Sequence, residues 1–412
     1  MTYKIPVILI FTAVYIYRLM ISILTLRSEK NPIPANVSDV YDKETYGKWR
    51  DYHEETVRLD IVSDSAAFVT ELLLLVFNVS AHFAKLFPEN PFTQAFAVIL
   101  LMSLASVVTL PFSWHSTMVI EQRYGFNKTT PKTFWADRIK EFILSLGLTT
   151  GIAYLLLGLH RSLGDRLIIV FAVVMTLFML LFAFLYPVFS KLFNKFTPLE
   201  EGELKTKLGA LLTKNGYNVR AINIMDASRR TTKANAYFTG FGRMKTIVLY
   251  DTLVDNYTPE EICAVFAHEL GHGLHKDNLR NRIFSFLQML VIGVLAWLTL
   301  RTDAVFGSFG FEGVNYGFSL ILIMSVEYAF VSPLFDLLTN FFSRKAEYAA
   351  DRQAVLEGYG AEQISALKKL SKQNYSNLAP SPFVVKMEYS HPTLSQRIEA
   401  IEKLQNETRQ TR

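Results

Sequence analysis

The chain has 412 residues, of which 50% are hydrophobic and only 19% are charged. Soluble domains usually carry about 25% charged residues, so this composition favours a membrane protein. The single cysteine, Cys263, excludes an internal disulfide and a cysteine-rich metal or redox site. The formal net charge of +5 is modest for this length, and we expect no nucleic-acid partner.

Seven apolar stretches have about the length that a helix needs to cross a bilayer. They cover residues 5–24, 66–87, 92–117, 142–160, 167–189, 284–300 and 316–337. The second contains Glu71 and His82, and the seventh contains Glu327 and Asp336. Such side chains are costly against lipid, which predicts that they face an aqueous volume or lie near the end of a span.

Basic residues are distributed unevenly between the loops. With seven spans, the side that holds the N-terminus and three short loops has five lysines and arginines. The other side has eleven in its first two loops, residues 25–65 and 118–141. Lysine and arginine concentrate in cytoplasmic loops. We therefore expect the long polar segments 190–282 and 338–412 to face the cytosol.

The segment 198–282 has the pattern of a small α/β unit. Leucines at helical spacing predict a helix over 199–215, and alternating residues predict strands near 219–225, 234–238 and 246–249. A second helix should begin at Thr258, which is a favourable N-cap. It is followed by proline and two acidic residues, which are favourable in a first helical turn.

The helix that begins at Thr258 carries the motif His268-Glu269-x-x-His272. Residues four apart lie on one helix face, so the two histidines can bind one Zn²⁺. Glu269 can then act as general base towards a water molecule on the metal. The motif also occurs by chance on solvated helices, and this alternative stays open for the motif alone.

A catalytic zinc site needs a third protein ligand and an open fourth position. Glu347 and Asp351, four residues apart in a predicted helix just after the last span, share one face. Glu347 is a candidate ligand, and Asp351 is a candidate acceptor for the second ring nitrogen of a ligand histidine. An ordinary solvated helix is the alternative, and His275 is a competing ligand candidate.

The two motifs, in this order and behind this many predicted spans, resemble the gluzincin membrane peptidases and in particular the type I CAAX prenyl endopeptidases. The likeness extends over most of the chain. It includes residues 124–129, 235–237 and 247–253, and Ser390-His391-Pro392 followed by Arg397.

The resemblance implies a mainly α-helical, polytopic membrane protein. Seven transmembrane helices would enclose a hydrated chamber, and a gluzincin-type zinc protease domain with a small β-sheet would cap it. Spans one to five and their loops would occupy residues 1–190, and spans six and seven residues 283–337. The protease domain would be divided between residues 191–282 and 338–412.

The resemblance also implies roles for residues outside the two motifs. Asn235 and Ala236 would lie on an edge strand to which an extended substrate adds. His391 would donate a hydrogen bond to the oxyanion of the tetrahedral intermediate, and Arg397 would bind or polarise the same group. With one Zn²⁺ per chain, Glu269 would take a proton from the attacking water and pass it to the leaving amine.

The expected function is a zinc metalloendopeptidase that removes the three residues after an isoprenylated cysteine. Its partners would be a prenylated or membrane-associated substrate and the lipid bilayer of a bacterial inner membrane or the endoplasmic reticulum, and it would act as a monomer. A quality-control peptidase for unprenylated membrane proteins is one alternative. A seven-helix transporter with a structural zinc is another, but Glu269 argues against it because a structural site has no use for a general base.

Overall fold

The computed structural model of the protein describes residues 3–127, 129–166, 194–216, 221–229, 235–239, 246–275 and 277–410. Most of these residues are helical, and they include one small sheet. The mainly α-helical fold predicted from the sequence is therefore confirmed. The predicted fifth span, 167–189, lies outside the described residues. The chain divides into two compact units.

The first unit comprises Met1–Leu26, Asp51–Leu177 and Ser285–Phe335. The helices that lie in it or pass through it are Lys4–Arg27, Lys43–Val76, Val79–Ala84, Pro91–Ala105, Leu110–His115, Pro131–Leu163, Asp277–Leu300, Asp303–Ser308, Tyr316–Ile321 and Ala329–Leu356, with 3₁₀ turns at Ser106–Thr109 and Gly164–Arg166 and π-helical segments at Ser116–Glu121 and Leu322–Tyr328.

Five helical segments among the described residues are long and apolar enough to cross a membrane. They are Lys4–Lys30, Pro91–Glu121, Pro131–Leu163, Leu279–Leu300 and Tyr316–Leu356. These segments contain the first, third, fourth, sixth and seventh predicted spans.

The predicted span over 66–87 is wrong in its bounds, because it is not one helix. The helix Lys43–Val76 ends before Asn78, whose φ of 54° is left-handed, and the short helix Val79–Ala84 follows. Asparagine tolerates this conformation better than most residues, so the chain turns there. Within the same unit, Glu71 lines a cavity of about 280 Å³ together with Arg18 and Asp64.

The second unit comprises Arg27–Arg50, Phe178–Phe284 and Asp336–Arg412. Its sheet has the strand order β1-β2-β4-β3, with only the β2–β4 pair parallel. The strands are β1 (Phe196–Pro198), β2 (Ala221–Met225), β3 (Ala236–Thr239) and β4 (Thr246–Tyr250). The helices wholly inside this unit are Glu203–Lys214, Asp251–Asn256, Pro259–Leu274, Gly360–Gln373, Pro382–Glu388 and Leu394–Gln410, with 3₁₀ turns at Ser28–Lys30, Ala35–Val37 and Ala227–Arg229.

The helix Pro259–Leu274, called the His268 helix below, begins where the sequence predicts. The Thr258 hydroxyl accepts a hydrogen bond from the Glu261 N–H, and the Glu261 carboxylate accepts one from the Thr258 N–H. This capping box satisfies two donors that the first turn would otherwise leave unpaired. Glu261 is itself buried and also accepts hydrogen bonds from Ser365 and Lys369, which fixes the helix start against a neighbouring helix.

The His268 helix approaches the helix Ala329–Leu356, called the Glu347 helix below, through a glycine. A Cβ atom at Gly271 would lie 2.8 Å from the Ala350 Cα and 3.1 Å from the Gln353 Cβ. The first distance involves backbone, which cannot move aside as a flexible side chain can. Glycine at 271 therefore sets the distance between the two helices.

We predict that Gly271→Ala destabilises the protein by about 1–3 kcal/mol, because the added methyl group overpacks the contact with Ala350. The measurement is the apparent melting temperature of the detergent-purified protein. Gly209→Ala is the matched control, since Gly209 is also helical and a methyl group added there would have nothing within 4 Å. An unchanged melting temperature for Gly271→Ala would contradict the prediction.

Candidate metal centre

Three side chains of the second unit direct ligand atoms towards one point. His268 Nε2 and His272 Nε2 are 3.2 Å apart. Glu347 Oε1 is 3.2 Å from His272 Nε2, and Glu347 Oε2 is 3.6 Å from His268 Nε2. Ligands at 2.0–2.1 Å from a tetrahedral metal lie about 3.3 Å from one another. The three residues therefore fit a metal ion.

Burial of these side chains also favours a bound metal ion. His268 and Glu347 are both buried, and Glu347 Oε2 has no hydrogen-bond partner. Arg397 Nη1, at 3.2 Å, compensates part of the charge of this oxygen, and a metal ion held by the two histidines would satisfy it further. Sequence spacing brings the two histidines together, but only folding brings Glu347 to them.

The second ring nitrogen of each histidine binds a buried carboxylate. His268 Nδ1 lies 2.9 Å from Asp351 Oδ1, and His272 Nδ1 lies 3.0 Å from Asp277 Oδ2. As acceptors, the carboxylates keep the proton on Nδ1 and leave Nε2 free for a metal. The sequence predicts Asp351 at such a position. It does not predict Asp277, although this residue lies only five positions after His272, because it reads as a charge at a helix start.

Asp351 is held in turn by two further side chains. Arg397 donates from Nε to Asp351 Oδ2 at 2.8 Å and from Nη2 to Oδ1 at 2.7 Å, and Gln363 Nε2 donates to Oδ1 at 2.9 Å. Arg397 Nη1 also lies 3.2 Å from Glu347 Oε2. The predicted position of Arg397 is at the oxyanion, and in the structure its contacts are with these two carboxylates. Gln363 was not predicted, and its sequence context gives no signal for it.

Burial and neighbouring charges shift the pKa values of several site residues outside the membrane-spanning segments, and those of Glu269 and His272 bear most directly on catalysis and metal binding. Burial raises the pKa of Glu269, although His268 and His272 oppose the rise. Burial would lower the pKa of His272, but its hydrogen bonds with Glu347 and Asp277 outweigh this effect and raise the pKa to about 9. In the metal-free protein, His272 is therefore protonated at neutral pH.

A cleft of about 210 Å³ contains the site and reaches the sheet edge. The residues that line it are Asn235, Ala236, Leu253, Val265, His268, Glu269, His272, Glu347, Gln363, Leu367, Leu370, His391 and Arg397. Every site residue predicted from the sequence is among them except Asp351, which lies behind His268. Ala236 belongs to the edge strand β3, and Asn235 directly precedes it.

His391 and His275, the two other histidines considered for the site, differ in position from the two ligand histidines. His391 Nε2 lies 3.3 Å from Glu347 Oε1, and His391 Nδ1 is 2.8 Å from the Ser390 hydroxyl. The His391 side chain is 61% exposed, so it remains accessible from the cleft. His275 Nδ1 is 2.7 Å from the carbonyl oxygen of Gly271. His275 lies outside the three-residue group, so the structure gives no support to it as a competing ligand.

Comparisons with known proteins agree with this architecture. Residues 22–195 match the family described as CAAX prenyl protease N-terminal, five membrane helices, and residues 198–405 match peptidase family M48. The resemblance inferred from the paired motifs is therefore confirmed.

Individual relatives match over nearly their full lengths. The chain is 32% identical over 409 residues to CAAX prenyl protease 1 homolog of Arabidopsis thaliana, covering 94% of this chain and 95% of that protein. It is 30% identical over 400 residues to CAAX prenyl protease 1 of Saccharomyces cerevisiae, covering 90% and 88%. The crystal structure of S. mikatae Ste24p matches with a TM-score of 0.84 and 32% identity, over 96% of this chain and 99% of that one. With both domains matched and the likeness running through almost the whole sequence, the chain belongs to the membrane metallopeptidases of family M48 that include the CAAX prenyl protease 1 homologues.

Proposed function

We propose that this membrane metalloendopeptidase uses zinc to hydrolyse the peptide bond after an isoprenylated cysteine, releasing the last three residues of the substrate. The observation that carries the proposal is the close grouping of His268, His272 and Glu347 beside Glu269 in one cleft. The names of the relatives, CAAX prenyl protease 1, support the class of substrate.

Zinc is the metal that suits this donor set best. Two neutral imidazoles and one carboxylate are an established set of ligands for catalytic zinc, and they leave the fourth position open. When bound, zinc supplies Lewis acidity, which lowers the pKa of water towards about 7 and polarises a carbonyl group. Asp351 and Asp277 would keep the two histidines in the tautomer that a metal requires.

The residues of the chain then move and hold protons. The Glu269 carboxylate accepts the proton of the attacking water and afterwards delivers it to the nitrogen of the leaving amine. His391 carries a proton on Nε2 and donates a hydrogen bond to the oxyanion that develops on the substrate carbonyl. Arg397 supports both steps by fixing Asp351 and Glu347.

An extended substrate would bind along the edge strand β3. The sheet order leaves one side of β3 without a neighbouring strand among the described residues, so main-chain groups near Asn235 and Ala236 can pair with a peptide. Strand addition suits a substrate whose side chains vary, because main-chain hydrogen bonds supply the affinity.

The membrane setting completes the proposal. The protease segments 191–282 and 338–412 would face the cytosol because the loops on that side are rich in basic residues. The spans within residues 1–190 and 283–337 would enclose a hydrated chamber that admits a lipid-bearing substrate. The enzyme would act as a monomer, in the endoplasmic reticulum or in a bacterial inner membrane.

The first prediction from this mechanism concerns the general base. Glu269→Gln should lower kcat by about 100- to 10,000-fold, because the neutral amide cannot accept the proton. The metal content, measured by mass spectrometry of the purified protein, should stay at one equivalent. Glu260→Gln is the matched control, since Glu260 lies on the same helix but is paired with Lys207. Full peptidase activity in Glu269→Gln would refute the mechanism.

The second prediction concerns pH. Because a pKa of about 9 keeps His272 protonated in the metal-free protein, zinc must displace that proton to bind. The zinc affinity should therefore rise with pH up to about 9, by about tenfold per pH unit for each proton displaced. Zinc titration in weakly buffered solution at pH 7.5 should release about one proton from His272. A zinc affinity that is constant from pH 6.5 to 9 would contradict this prediction.

The third prediction concerns the substrate. A farnesylated C-a-a-X peptide should be cleaved with a higher kcat/KM than the same peptide without the farnesyl group, and a zinc chelator should abolish both reactions. Equal cleavage of the two peptides would favour the quality-control peptidase instead. Absence of cleavage of either peptide by the zinc-loaded protein would contradict the proposed peptidase activity on such substrates.

A further inference from the structure

One face of the Glu347 helix carries four polar residues in a row: Asn340, Arg344, Glu347 and Asp351. Their spacing of four, three and four residues keeps them on one side of the helix. Glu347 and Asp351 belong to the metal centre. Arg344 and Asn340 lie one and two turns before Glu347 on the same face, and neither has a role in the proposed mechanism.

Asn340 and Arg344 bind the main chain at the end of the helix Pro382–Glu388. Arg344 Nη1 donates to the carbonyl oxygens of Val385 at 3.1 Å and of Tyr389 at 2.6 Å. Asn340 Nδ2 donates to the carbonyl oxygen of Met387 at 3.0 Å. Two side chains thus bind three alternate carbonyl groups of one short segment.

These carbonyl groups need such donors for a physical reason. The last carbonyls of a helix have no partner within the helix, and they carry the negative end of its dipole. The Val385 carbonyl already accepts the Tyr389 N–H at 3.3 Å, so Arg344 adds a second, charged donor to it. Arg344 also supplies a donor to the Tyr389 carbonyl and compensates the dipole, which a neutral side chain does not. The end of a helix of only seven residues therefore depends strongly on Arg344.

The segment held in this way leads directly to His391. Tyr389, whose carbonyl Arg344 binds, is two residues before His391. The His391 ring contacts the Ser390 hydroxyl and the Glu347 carboxylate, and its side chain is 61% exposed. An exposed ring with few contacts has its position set mainly by its backbone. The Glu347 helix therefore provides both the ligand carboxylate and the support for His391.

We infer that Arg344, assisted by Asn340, is a positioning residue that holds the backbone of residues 385–389 so that His391 stays beside Glu347. This inference rests on the proposed role of His391 at the oxyanion. Arg344 acts through His391 and does not itself contact the reacting atoms.

A double-mutant cycle in the full-length, zinc-loaded enzyme tests the inference with the farnesylated peptide. Removing an oxyanion donor typically lowers kcat by about 100- to 1,000-fold, which is the range expected for His391→Ala. Arg344→Met keeps the apolar stem of the side chain and removes its donors, and it should lower kcat at least about tenfold with KM unchanged. The double variant should be no slower than His391→Ala alone, since Arg344 then has nothing left to position.

Three measurements distinguish a positioning role of Arg344 from a general loss of structure in the variant. Lys345→Met is the matched control, because it removes a neighbouring cation that lies over the Phe341 ring, and it should retain wild-type kcat. Arg344→Lys should recover part of the lost rate, since an ammonium group can bind one carbonyl but lacks the fork geometry of arginine. The zinc affinity of Arg344→Met should equal that of the wild type.

The outcomes that overturn the inference are distinct. If Arg344→Met keeps wild-type kcat while His391→Ala loses it, Arg344 does not position His391. If the two losses multiply in the double variant, Arg344 acts independently of His391. If His391→Ala keeps wild-type kcat, the role proposed for His391 is wrong and the inference falls with it. Should Arg344→Met not fold, Asn340→Ala removes only the Met387 contact, and its smaller loss of kcat must likewise vanish in the His391→Ala background.

Discussion

The Asp351 carboxylate accepts hydrogen bonds from His268, Gln363 and Arg397, and the metal centre depends on this interaction. Asp351 is almost fully buried, so an unpaired charge there would be strongly unfavourable. Removing one partner of such a buried group typically costs about 3–5 kcal/mol. Three segments far apart in the sequence must therefore converge on Asp351 before the first metal ligand is oriented.

The same helix that carries Asp351 organises most of the site. Its polar face carries Glu347, which joins the two histidines as a metal ligand. The same face carries Arg344, which binds carbonyl groups at the end of the helix Pro382–Glu388. The His268 helix packs closely against this helix at Gly271, and it begins at the capping box of Thr258 and Glu261. Packing, capping and electrostatics thus act on two helices, and the distance between these helices decides whether the two histidines and Glu347 can bind one ion.

Local sequence patterns were enough to predict the parts of the site that lie within one element. The four-residue spacing puts His268 and His272 on one face, and Thr258 with Pro259 predicts where their helix begins. Most of the apolar spans were also predictable, because length and hydropathy are local properties. The prediction of one span over 66–87 is wrong at Asn78, because a single left-handed residue ends the helix there while the stretch remains apolar.

The sequence by itself determined the chemistry of this protein: two imidazoles and an acid at helical spacing, a second acidic motif, and a chain apolar enough for a membrane. Only the tertiary structure decided which groups support that chemistry. Asp277, Gln363 and Arg344 each act on a partner through side-chain geometry that no spacing rule encodes. The reason is physical, because a change of a few tenths of an ångström in the distance between donor and acceptor decides whether a buried hydrogen bond or ion pair forms, and these distances are set only by packing.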